Sequence, residues 1–82
     1  MKLTITPNEE GTSNIDIQCD PHNTFRWSSV SISNGGILYN GMICTPQQFL
    51  QMVRGYIVDY VGEKVVKEFD KCENKWVHEL LK

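Results

Sequence analysis

The pattern of the chain changes abruptly at Thr45-Pro46. Upstream, apolar and polar residues alternate and the runs are broken by Gly, Asn and Pro. Downstream, apolar residues recur at helical spacing and no further proline occurs. A period near 2 followed by a period near 3.6 predicts a sheet built first and helices laid on it second, an α+β domain. The expected divisions are 1–44, a four-stranded antiparallel β-meander, and 45–82, the helical part. At 82 residues, the chain is read as one domain with a modest core that buries roughly 60% of the unfolded surface.

In the first part, Leu3 and Ile5 alternate with threonines until Pro7, and Ile15, Ile17 and Cys19 alternate with Asp16 and Gln18. These are half-buried strands. A third strand is expected from about Thr24 to Ser33. Its parity slips, with Phe25 and Trp27 on one face and Val30 and Ile32 on the other. A bulge near Ser28-Ser29 would bring all four to the same side. Asn34-Gly35-Gly36 marks a tight turn. The fourth strand is expected from Ile37 to Cys44, with Asn40-Gly41 as a bulge or a second tight turn.

Thr45-Pro46-Gln47-Gln48 has the form of a capping box with proline at the first helical position, so a helix starts there. Phe49, Met52, Val53, Tyr56, Ile57, Tyr60 and Val61 share one side of it. From Val65 onward the stripe is Val65, Phe69, Cys72, Trp76 and Leu80, roughly opposite the first if one helix ran through Gly62. Such a helix would be about 55 Å long. The expectation is therefore two C-terminal helices, or one long kinked helix, with a break near Gly62. Glu73 falls near the middle of the second stripe and must lie near an edge, because an unpaired buried carboxylate is costly.

Lys64, Lys67, Lys71, Lys75, His78 and Lys82 align opposite that second apolar stripe. The plain reading is the solvated face of an amphipathic helix. The functional reading is a site for phosphate or an acidic surface. Net charge is −2, so no global field draws the chain to nucleic acid or membrane. Arg26-Trp27 could stack a base, but a Trp in a small sheet is more simply core. Cys19 and His22 are the only close pair of metal-ligand types, and structural zinc normally uses two such pairs. No metal, no cofactor and no catalytic residue are expected.

Three widely spaced cysteines read as free thiols in a reducing cytoplasm. No apolar run has the length of a signal peptide or a membrane span. The chain contains no alanine and much Ile and Asn, a bias that suggests an AT-rich genome such as a low-GC bacterium or its phage. The function expected is that of a small non-catalytic regulator or inhibitor that binds a protein. The alternative is nucleic-acid association through the lysines. The binding candidates are Lys64, Lys67, Lys71, Lys75 and Trp76. Trp76 is the expected anchor of a homodimer formed by pairing the second apolar stripe across a twofold axis.

Overall fold

The computed structural model describes residues 1–33 and 36–81. Among them the chain forms β1 (Lys2–Pro7), β2 (Ser13–Asp20), β3 (Asn23–Ser33), β4 (Gly36–Tyr39), β5 (Met42–Cys44), α1 (Pro46–Tyr60) and α2 (Glu63–Leu80). The strands make one antiparallel sheet in the order β1-β2-β3-β4-β5. The α+β class holds, but the described residues contain five strands where four are expected. The reason lies at Asn40-Gly41, both with positive φ (52° and 81°). Two consecutive left-handed residues make a tight hairpin turn, so the run from Ile37 to Cys44 reverses on itself. The other expected turn falls partly on Asn34 and Gly35, which lie outside the described residues. Ser33 pairs with Gly36.

The bulge in β3 is present. Ser29 has φ 57°, and the β2–β3 register shifts between Ser13 and Ile15. Asn14 secures it: its Oδ1 accepts from the Ser29 N–H at 3.2 Å and from Asn8 Nδ2 at 3.1 Å. The extra residue restores inward parity, so Trp27 and Val30 are both buried. Ile15, Ile17 and Ile37 complete the inner face of the sheet, beneath the helices.

Thr45 caps α1 as its sequence predicts. Its Oγ1 accepts from the Gln48 N–H at 3.1 Å, and Gln48 Oε1 accepts from the Thr45 N–H at 2.9 Å. Such a cap contributes about 1 kcal/mol. Phe49, Leu50, Val53 and Ile57 are buried. Leu50 does not belong to the predicted stripe. The buried arc is rotated toward it because α2 covers that flank of α1 as well as the sheet covering the other. Gly62, at φ 132°, breaks the helix, and α2 folds back against α1. The molecule's longest dimension is 35 Å, far short of one continuous helix.

Two polar contacts tie the hairpin of helices. Gln51 Nε2 donates to Glu73 Oε1 at 2.6 Å, which gives Glu73 its partner at the rim. Arg54 donates to both oxygens of Asp70, from Nε at 2.9 Å and Nη2 at 3.2 Å. These hydrogen bonds, reinforced by the guanidinium charge, hold the Asp70 carboxyl below the ordinary aspartate value. Asp70 therefore binds its proton less tightly in the native state than in the unfolded chain, where aspartate titrates at about 3.9. The stabilising contribution is complete above that value, shrinks below it, and is lost once native Asp70 is protonated. Asp70→Asn should lower the melting temperature at about pH 7, and the gap from wild type should close as pH falls below about 3.9, the ordinary aspartate value. Thermal melts followed by circular dichroism will show this. A gap that persists in acid would assign the loss to something other than the ion pair.

Candidate functional site

Lys64, Lys67, Lys71 and Lys75 all lie on the exposed side of α2, opposite its buried residues Val66, Phe69, Trp76, Val77 and Leu80. Lys82 lies outside the described residues. Lys64, Lys67 and Lys71 border an open cleft of about 450 Å³ against Met1 and Cys19, at one end of the sheet. Glu68 sits among them, 3.5 Å from Lys71 Nζ. The cleft is therefore of mixed charge. The fourth lysine, Lys75, is not among its lining residues.

Trp76 is placed differently from the expectation. It is 4% exposed and packs edge-on against Phe69, with ring centroids 5.5 Å apart. The second apolar stripe is covered by its own chain, because the break at Gly62 lets α2 fold back. The argument for pairing that stripe across a twofold axis does not survive, and Trp76 is not presented as an anchor.

The other sequence candidates also separate. Arg26 and Trp27 point to opposite faces. Arg26 pairs across the outer face with Asp16, its Nε 2.6 Å from Asp16 Oδ1, and Trp27 is buried against Phe49. Cys19 is buried beside Ile17, while His22 is exposed in the β2–β3 turn. There Asp20 Oδ1 accepts from the His22 and Asn23 N–H groups at 2.8 and 2.9 Å. Bonds from the Asn23 side chain and then from the His22 backbone hold the Asp20 carboxyl below its ordinary value. Burial, and then the Asp20 charge, push the Cys19 thiol up, which leaves little of the thiolate that nucleophilic or metal chemistry requires. All three cysteines are free. Among the described residues, no group of three His, Cys, Asp or Glu side chains is placed to hold a metal ion, and no helix is long and apolar enough to cross a membrane.

Tyr39, Tyr56 and Tyr60, amphipathic aromatics that the sequence leaves equally suited to an interface or to core-edge packing, come together with a largely uncharged part of the chain. From Trp27 to Val53 there is no Asp, Glu, Lys, Arg or His. This segment holds β4, β5 and most of α1. Met42 is 66% exposed and Ile43 77%. On the helix side, Tyr39, Met42, Met52 and Tyr56 line a cleft of about 170 Å³ between the β4–β5 hairpin and α1. Tyr56 leans on Trp27 and stacks on Tyr60 at 6.2 Å. Tyr60 is 71% exposed. On the other face, Leu38 and Ile43 pair across the strands beside Ser31. The signal available in the sequence was the uncharged run itself, together with the doubled turn that puts Ile43 on an edge.

No protein-family model matches the chain, and no curated protein or solved structure matches it.

Proposed function

We propose that this chain is a non-catalytic protein that acts in the cytoplasm by binding another protein, as a regulator or inhibitor of it. The contact is made at the cleft between β4–β5 and α1. What carries the reading is the exposure of Met42 and Tyr56 at that cleft, with Tyr60 stacked on Tyr56, beside a segment without charge. Tyr and Met are enriched where proteins meet, and charge is depleted at the centre of such contacts. The cleft is smaller than the roughly 300–1,000 Å³ typical of small-molecule sites. It suits one apolar side chain of a partner, the anchor-in-pocket arrangement of interaction hot spots. The three free thiols support a reducing compartment.

The test is a comparison of three immobilised proteins exposed to extract of the source cells. Wild type and the Lys67→Glu/Lys71→Glu variant should retain the same specific protein, and Tyr56→Glu should lose it at an unchanged fold. Retention by Tyr56→Glu, with loss in the lysine variant, would overturn the reading in favour of the α2 lysines. Nucleic acid recovered on wild type, and released steeply by salt, would point to the same surface.

A further inference from the structure

We infer that β5 is a self-pairing edge, and that two copies of this chain join through it into one continuous ten-stranded antiparallel sheet. The sheet has two edges, and only one is defended. β1 carries Lys2 and Pro7, the charge and the missing donor that keep edge strands from pairing. β5 carries Met42, Ile43 and Cys44, with neither charge nor proline, and Ile43 is its most exposed residue.

The occupant is a second copy for two reasons. The first is geometric. β5 is three residues long and centred on Ile43, so an antiparallel twofold through Ile43 sets it beside Ile43 of the partner subunit. Leu38 already pairs with Ile43 on the outer face. The symmetric pairing would extend this into an unbroken apolar row of four side chains, two from each chain. Cross-strand pairs of this kind are the stabilising unit of a sheet. An isologous contact needs only one self-complementary patch, and this patch has that form. The second reason is electrostatic. Each copy carries a net charge of −2, but every charged residue lies outside positions 27–53. Joining two copies through β5 brings the uncharged segments together and keeps like charges apart. The helices of both copies would cover the same face of the joined sheet. The cleft at Tyr56 would then be presented twice.

A three-residue strand buries little area, so the dimer belongs to the weak, concentration-dependent class. The inference does not depend on the partner reading, and the variants separate the two. Sedimentation equilibrium of the wild-type chain should show a monomer–dimer equilibrium in the micromolar range. Ile43→Lys should raise the dissociation constant at least about tenfold with its circular dichroism spectrum unchanged, since the side chain is exposed. Tyr56→Glu should dimerise like wild type. Amide exchange at Ile43 should slow as concentration rises. Wild-type protein at monomer mass at several hundred micromolar (roughly a hundredfold above the expected range) would overturn the inference. So would a dimer that Ile43→Lys leaves intact.

Discussion

Trp76→Ala will cost about 3–5 kcal/mol, the range for removing a buried aromatic ring from a packed core. A chain of this length has a total stability of about 4–12 kcal/mol, so the loss amounts to roughly a quarter of it or more. The size of the effect follows from its position. Trp76 is buried between the helices and the sheet with Phe69, Val77 and Leu80. Its edge-on contact with Phe69 adds about 0.5–1.5 kcal/mol beyond area alone. Urea denaturation followed by circular dichroism measures the loss. Trp76→Glu should be worse, because it would place a carboxylate where no partner waits. A loss below about 1 kcal/mol for Trp76→Ala would mean that α2 does not close on the core in solution.

Gly36→Ala should cost about 1–3 kcal/mol from backbone strain alone, and more through the hairpin it deforms. Gly36 has φ 139°, and an added Cβ would lie 2.6 Å from the Cys44 carbonyl oxygen. That atom is backbone, so β4 and β5 must move apart rather than one side chain turning away. The damage should concentrate on β5, and amide exchange at Met42, Ile43 and Cys44 should rise more than elsewhere. Gly55→Ala is the control. Gly55 sits within α1 with nothing within 4 Å of the added carbon, and alanine there should stabilise the helix by about 0.5–1 kcal/mol. Equal losses in both variants would show that the close approach at Gly36 is not what holds the hairpin.

These residues also show how far the sequence carries. Thr45, Pro46 and Gln48 act within one turn of backbone, so the cap and the start of α1 are legible without any tertiary information. The bulge is legible for a similar reason: the parity slip between Trp27 and Val30 has one cheap local remedy. The turn at Asn40-Gly41 is visible as a signal, but its two outcomes, bulge or reversal, differ only in what lies beside it. Leu50 and Trp76 are misjudged from sequence because each depends on where α2 lies. Helical periodicity gives the phase of a stripe and says nothing of which neighbour covers it. The lysine stripe is read correctly as one exposed face of α2, since opposition to an apolar stripe is a property of the helix alone. The charge-free surface is a property of the folded molecule. Its residues come from two strands and a helix, and its edge exists only once β5 is last in the sheet.

The bulge at Ser29 divides β3 into two reading frames of side-chain direction. Up to Trp27, odd-numbered positions face the core; from Val30 onward, even-numbered positions do. Substitutions at Ser28, or at Ser29 by residues that tolerate its φ of 57°, leave both frames intact. Deleting either one would remove the bulge and merge them into a single alternation with Val30 and Ile32 still facing inward; straightening the strand at its present length would turn the far half over, with Ser31 and Ser33 facing inward and Val30 and Ile32 toward water. Among sequences that share this fold, a one-residue deletion between Trp27 and Val30 should therefore be tolerated better than a residue at position 29 that cannot hold the left-handed backbone found there.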